Sequence, residues 1–111
     1  MTDLLNGFAV EPGSGVERDD RALKASRETT GGALSVFELT VEGGPSLHVH
    51  EREHESFYVL DCELAVRCGE DTFRAAAGSF VFLPVGRPHR FWSTSGSARV
   101  LLIAVPAGIE A

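Results

Sequence analysis

Glycine and proline interrupt this chain so often that its apolar residues fall into short runs rather than long ones. The chain of 111 residues contains 12 glycines and 5 prolines. No segment of ten or more residues combines a 3.6-residue apolar period with helix caps. Short alternating runs bounded by turn residues are typical of β-strands. The pattern therefore predicts an all-β protein of about eight or nine strands, folded as an antiparallel sandwich or small barrel.

The clearest strand is expected over residues 33–41, where apolar and polar side chains alternate. Two further strands, at 47–50 and 57–60, are expected to flank the charged segment 51–55. A short strand is expected to start near Arg21. Turns rich in glycine and polar residues then separate the remaining predicted strands, at 63–67, 72–75, 80–83, 89–93 and 98–105.

The length of the chain predicts a single domain with one core. Residues 1–20 are polar, contain the segment Glu11-Pro12-Gly13-Ser14-Gly15 and end at Asp19-Asp20. We expect them to form an irregular or edge-pairing N-terminal arm, because such a segment cannot build a core of its own. Residues 21–111 are expected to form the barrel domain.

The charge balance argues against nucleic acid and membranes as partners. The chain has 10 Lys and Arg against 16 Asp and Glu, a net charge of −6, and it contains no basic run. Its longest apolar run is six residues, 100–105, whereas a membrane-spanning helix needs about 20. The N-terminus lacks the basic region of a signal peptide. We therefore expect a cytoplasmic protein whose partners are small molecules.

The histidines are clustered in a way that suits a metal ion. His48, His50 and His54 fall within seven residues, and His89 follows a proline-rich turn. On a strand, His48 and His50 would project to the same face and reach one ion. Glu55 could add an anionic oxygen from the next strand, and His89 a third nitrogen from a distant hairpin. Such a set suits divalent Mn, Fe, Co, Ni, Cu or Zn and leaves positions open for substrate. The local cluster alone also fits surface histidines on an acidic loop.

A competing motif overlaps this cluster. Residues 50–54 read H-E-x-x-H, the zinc metallopeptidase signature, which requires a helix. Gly43-Gly44-Pro45 lies just upstream and β-forming residues lie just downstream, so a helix is not expected there. His54 is instead expected to be solvated, in a turn beside Glu55. The alternative is that His54 hydrogen-bonds to a metal ligand or takes the place of one.

Two motifs in sequence order resemble the conserved motifs of the cupin superfamily. A glycine at 43 or 44 precedes H-V-H-x4-E over residues 48–55, and residues 78–89 read G-x5-P-x-G-x2-H. The similarity covers roughly residues 32–107. It implies a single-domain, antiparallel double-stranded β-helix, the cupin jelly-roll barrel, similar to small quercetin dioxygenase-like cupins. It also implies a divalent metal held by His48, His50, Glu55 and His89, and a homodimer joined through arms such as residues 1–20.

One departure from the family pattern concerns the turn that ends the first motif. Cys62 stands where the family has glycine. A side chain at a position that needs a positive φ is energetically unfavourable, so we expect a turn less tight than is usual in the family.

Strand parity identifies candidates for the wall of a substrate pocket. Phe57 and Val59 share the face of Glu55, and Phe91 and Ser93 share the face of His89. Phe37 and one of Phe80 and Phe82 are expected to complete the wall. With Phe82 chosen, the predicted wall consists of Phe37, Phe57, Val59, Phe82, Phe91 and Ser93. An apolar pocket around an open metal site favours a small organic ligand, aromatic or dicarbonyl, bound through oxygen atoms.

Three classes of function stay open on this sequence. The first is a metal-dependent enzyme: an oxidoreductase like the quercetinase-type dioxygenases, or an isomerase, cyclase or decarboxylase. Glu55 would be its catalytic base when it leaves the metal. The second is a sensor or binding protein that holds a small molecule without turnover. The third is a structural jelly roll with a degenerate site, because fold alone does not fix function.

Overall fold

The computed structural model describes residues 4–18 and 21–110, and the chain folds there into nine strands and one short helix. The elements in chain order are β1 (Val16–Arg18), β2 (Arg21–Ala25), α1 (Arg27–Thr30), β3 (Ser35–Val41), β4 (His54–Asp61), β5 (Glu63–Cys68), β6 (Asp71–Ala76), β7 (Phe80–Leu83), β8 (His89–Ser93) and β9 (Ala98–Val105). The predicted all-β class is confirmed.

The strands form two antiparallel sheets. Six strands pair in the order β1-β2-β3-β9-β4-β7, and three pair in the order β6-β5-β8. The last strand, β9, inserts between β3 and β4, so strands distant in the sequence become neighbours. This order and the packing of the two sheets form the jelly-roll barrel, or double-stranded β-helix, and confirm the predicted fold.

The core lies between the two sheets. Alternation along β4 buries Phe57 and Val59 completely and leaves Tyr58 exposed. The Phe57 ring meets the Phe91 ring of the other sheet edge to face, with centroids 4.5 Å apart. Burying a side chain of this size stabilises the fold by about 1.5–3 kcal/mol. Glu55 and His89 are the two titratable residues that this packing buries among the described residues, with 2% and 1% exposure.

The N-terminal arm extends the larger sheet at its edge. Residues 4–15 are irregular, and β1 pairs with β2 in register. Leu4, Leu5 and Phe8 of the arm are exposed. The predicted end of the arm at Asp19-Asp20 lies outside the described residues. The helix in the described ranges, α1, has four residues. It is too short to cross a membrane.

The turn between β4 and β5 keeps the positive φ that glycine favours, and one residue, Cys62, separates the two strands. Cys62 has a φ of 66°, and it is the one non-glycine residue with a positive φ in the described part of the chain. The left-handed conformation brings a Cβ close to the following carbonyl oxygen, which costs about 1–2 kcal/mol. Cys62 and Cys68 are free thiols.

Candidate metal centre

Backbone hydrogen bonds fix the His48–His50 segment against the loop that enters β8. His48 N–H donates to the His89 carbonyl over 3.0 Å, and His89 N–H donates to the His48 carbonyl over 2.7 Å. Gly86 N–H donates to the His50 carbonyl over 2.8 Å. These bonds join two segments that are distant in the sequence and hold their histidines side by side.

The predicted strand at residues 47–50 does not form, and His48 makes an isolated bridge instead. Pro45 lacks the N–H that a sheet needs, and Gly44 has a φ of 72°. A Cβ on Gly44 would lie 1.6 Å from the carbonyl oxygen of Phe91. Only glycine lets the backbone turn and pass this close to β8. The chain therefore reaches the histidines through a glycine turn rather than along a strand.

The three imidazole rings gather at one point. Ring centroids lie 5.0 Å apart for His48 and His50, 4.6 Å for His48 and His89, and 5.4 Å for His50 and His89. One ring nitrogen of each histidine lies within 4.8 Å of the other two. Glu55 Oε2 lies 3.0 Å from His50 Nε2, and Glu55 Oε1 lies 3.8 Å from His89 Nε2. The structure thus brings together the four residues predicted as ligands.

Two of the rings are oriented by hydrogen bonds on their far side. His48 Nδ1 lies 2.9 Å from the Ser46 carbonyl oxygen, to which it donates. His50 Nδ1 lies 3.1 Å from Glu53 Oε1. Histidines that bind metal commonly donate their second ring nitrogen to a carbonyl or carboxylate in this way. With Nδ1 engaged in this way, Nε2 is the nitrogen that each ring has left for the cluster, and in His50 it contacts Glu55 Oε2.

Burial controls the charge states of the two innermost residues. Burial, reinforced by the negative charge of Glu53, raises the pKa of Glu55 to about 7, against an opposing effect of Arg21. Burial, with added repulsion from His48 and His50, lowers the pKa of His89 to about 4. His89 is therefore a neutral imidazole at physiological pH, which is the form that binds metals.

The site contains polar atoms that the protein itself does not satisfy. Glu55 Oε1 and both ring nitrogens of His89 are buried and have no hydrogen-bond partner among the described residues. An unsatisfied buried polar atom costs about 1–3 kcal/mol, so native structures keep few of them. Imidazole nitrogens and a carboxylate oxygen are ligands of divalent transition metals. The residues present therefore fit such an ion, which would use Glu55 Oε1 and one ring nitrogen of His89.

A cavity opens beside the cluster. Its volume is about 530 Å³, within the range of about 300–1,000 Å³ that is usual for small-molecule sites. His48, His50 and Glu55 form part of its wall, and so does Arg21. The apolar part of the wall consists of Leu39, Val41, Pro45, Phe91, Leu102 and Ile109.

This wall differs from the predicted one. Of the six predicted wall residues, Phe91 lines the cavity and the other five do not. Phe37, Phe57 and Val59 are packed into the core with at most 1% exposure. Phe82 points outward with 50% exposure, because Val81 and Leu83 occupy the inner face of β7. The predicted member Ser93 is half-buried, and its N–H donates to the Glu42 carbonyl at 2.7 Å.

Arg21, Leu39 and Ile109 line the cavity although they were not among the predicted site residues. A signal existed for Arg21, since it has the same strand parity as the buried residues Leu23 and Ala25. A charged residue on the inward-facing side of a strand is unusual, and it indicates a polar partner or a ligand. Ile109 lies in an irregular segment after β9, where no periodicity marks the inner face.

His54 lies outside the cluster. It is exposed at the start of β4, on the opposite face from Glu55. Its Nδ1 accepts a hydrogen bond from Val85 N–H over 3.0 Å, and its ring lies 5.3 Å from that of Phe82. Residues 50–54 form no helix, so the metallopeptidase arrangement of H-E-x-x-H is not made.

Solved structures share this fold. KdgF from Halomonas sp. superposes with a TM-score of 0.77 at 15% identity, over 95% of this chain and 97% of that one. A Thermotoga maritima protein described as a predicted oxalate decarboxylase gives a TM-score of 0.66 at 23% identity, over 78% of each chain. At these identities the likeness shows the fold alone.

Sequence comparison gives the family. An uncharacterized protein of Streptomyces coelicolor is 33% identical over 54 residues, which are 49% of this chain. The chain spans about half the length of this curated relative, 51%. The family model of the cupin domain matches residues 35–106, well over half of the chain. With the two motifs, the jelly-roll topology and this match in agreement, the chain belongs to the cupin family.

Proposed function

We propose that this cupin is a metal-dependent enzyme that acts on a small organic substrate, as a dioxygenase or as an isomerase or cyclase. One observation carries the proposal. Three histidines and a buried glutamate converge beside an apolar cavity, and the innermost atoms of the cluster lack partners within the described protein. Native structures leave few buried polar atoms unpaired, and three of the four such atoms among the described residues lie in this cluster.

The four residues of the cluster would hold the ion, and each contributes differently. His48 and His50 are oriented by Ser46 and Glu53, whereas His89 is held by its burial and by its backbone bonds to His48. A bound divalent metal supplies Lewis acidity toward oxygen atoms of a substrate. A cluster oriented before the ion arrives suits this task, because little reorganisation remains to be done.

Glu55 is the candidate catalytic residue. Without a bound ion the Glu55 carboxyl has a pKa of about 7; once released from the ion it could therefore exchange a proton near neutral pH, which suits proton transfer. Oε2 lies 3.0 Å from His50 Nε2, whereas Oε1 has no hydrogen-bond partner in the described protein. Glu55 also lines the cavity, so it can hold or accept a proton there.

The apolar wall favours a substrate with a hydrocarbon body. Leu39, Leu102 and Ile109 lie along the cavity with Phe91, and they would exclude water from the reacting atoms. Aromatic and dicarbonyl compounds combine such a body with oxygen donors. They are therefore the substrates we propose to test first.

The test is turnover by the metal-loaded protein. The parent is loaded with Fe, Mn, Ni or Cu and offered phenolic and 1,3-dicarbonyl compounds, while oxygen consumption and substrate absorbance are recorded. We expect turnover with at least one ion, and a loss of about 100-fold or more in kcat for Glu55→Gln. Glu51→Gln, at an exposed position of the preceding loop, is the matched control. Saturable binding without turnover would contradict the enzyme and identify a binding or sensor protein.

A further inference from the structure

Arg21 lies in the wall of the cavity although it is charged. It begins β2 and pairs with Leu39 of β3. Leu23 and Ala25 share its strand parity, and both are buried. The Arg21 side chain accordingly lies in the cavity wall, in a row that continues into the core.

An aromatic ring lies under the guanidinium of Arg21. The Arg21 Cζ lies 5.2 Å from the centroid of the Phe37 ring, which is buried at 1% exposure. Arginine is attracted to aromatic faces by a cation–π interaction within about 6 Å of the ring centroid, and this contact uses none of its N–H groups. Phe37 thus contributes to the site as a support for Arg21 rather than as a wall.

The N–H edge of Arg21 has no partner within the described ranges, 4–18 and 21–110. No hydrogen bond or ion pair there involves its side chain, whereas Arg99 pairs with Glu38 and Arg74 pairs with Glu63. The Glu55 carboxylate contacts the histidine cluster instead. The wall of the cavity therefore combines the histidine cluster with a guanidinium that is unpaired among the described residues.

We propose that Arg21 binds a carboxylate of the substrate, so that the substrate class is a small organic acid. The guanidinium presents parallel N–H donors that match the two oxygens of a carboxylate. The same molecule would offer an oxygen donor to the histidine cluster and lay its hydrocarbon part along Leu39 and Ile109. This inference rests on the proposed function, since it names the substrate of that site.

The test compares acids with their neutral amides. Binding of pyruvate, benzoate, salicylate and malonate, and of the amide of each, is measured by calorimetry on the protein loaded with Zn²⁺. We expect at least one acid to bind the parent about tenfold or more tightly than its amide, as for a charge-assisted bidentate pair. Arg21→Gln is expected to abolish this preference. Arg21→Lys keeps the positive charge but loses the parallel N–H donors of the guanidinium, so it is expected to retain part of the preference for the acid.

A matched arginine controls for loss of stacking. Arg90 stacks over Trp92 with its Cζ 4.6 Å from the ring centroid, and it does not line the cavity. Arg90→Gln should keep the acid preference of the parent. Thermal unfolding of each variant checks folding, and if Arg21→Gln does not fold, Arg21→Lys decides the matter. An acid preference that Arg21→Lys leaves unchanged would then overturn the proposal.

Metal content of the same samples separates the two proposals. If metal is bound and no acid is preferred over its amide, or the preference survives Arg21→Gln, the carboxylate proposal fails and the metal site stands. If the parent binds no metal, the proposed function fails. An acid preference that still depends on Arg21 in the metal-free protein would nevertheless support the binding of carboxylates.

Discussion

The metal-free protein should contain two opposing pH dependences of stability that nearly cancel. Burial and Glu53 raise the pKa of Glu55 from 4.5 to about 7, against the opposing effect of Arg21. Between these values the folded state keeps a proton that the unfolded state has released, so the free energy of unfolding falls as the pH rises. At about 1.4 kcal/mol for each pKa unit, the loss is about 3 kcal/mol.

His89 acts in the opposite direction. Burial and the neighbouring His48 and His50 lower its pKa from 6.5 to about 4. The unfolded state binds a proton in this range that the folded state does not, so the free energy of unfolding falls as the pH drops. The magnitude is again about 3 kcal/mol. The two ranges overlap between pH 4.5 and 6.5, where the parent should show little net slope from these residues.

Glu55→Gln should uncover the contribution of His89. The substitution keeps the shape of the side chain and removes its titration. We expect the chelator-treated variant to gain free energy of unfolding as the pH rises from 4 to 6.5, and to exceed the parent at pH 7 by up to about 3 kcal/mol. Urea unfolding followed by fluorescence of the single tryptophan, Trp92, measures this at each pH. Glu51→Gln should follow the parent. A constant difference between parent and Glu55→Gln across this pH range would contradict the raised pKa of Glu55.

Three further outcomes follow from the fold. Gly44→Ala should lose about 3 kcal/mol or more of stability, measured by urea unfolding, because its Cβ would meet a backbone carbonyl 1.6 Å away; unfolding like the parent's would contradict the required close approach. Cys62→Gly should gain about 0.5–1 kcal/mol by relieving its positive φ, whereas Cys62→Ala should gain none; equal gains would place the effect in the thiol rather than in the backbone. The homodimer stays a prediction: the arm exposes Leu4, Leu5 and Phe8, so light scattering should give a dimer mass for the full chain and a monomer mass after deletion of residues 1–15, and a monomeric full chain would overturn it.

The strands and the ligand cluster could be predicted because their signals are local. Alternation over residues 33–41 marks both faces of β3, and two motifs with fixed spacing mark the histidines. The strand expected at residues 47–50 shows the limit of such signals. Apolar and polar residues do alternate over 47–50, but a strand also needs a partner strand, which lies far away in the sequence. After the glycine turn, the segment makes one bridge, between His48 and His89.

The cavity wall could not be predicted because its determinants are not local. Every residue of β7 is apolar, so the segment 80–83 carries no alternation that would reveal Phe82 as the outward side chain. Ile109 reaches the cavity because the following residue, Glu110, accepts hydrogen bonds from the Ser35 hydroxyl and from Arg27 N–H. These partners lie far away in the sequence, and no pattern near Ile109 announces them.

The most direct test of the metal centre is the metal content of protein purified without a tag or chelator, measured by inductively coupled plasma mass spectrometry. The parent is compared with His50→Ala and Glu55→Ala, and with His54→Ala as the control, because His54 lies outside the cluster. We expect near-stoichiometric metal in the parent and in His54→Ala, and its loss in the other two variants. A parent that holds no metal and binds none when it is supplied would contradict the account.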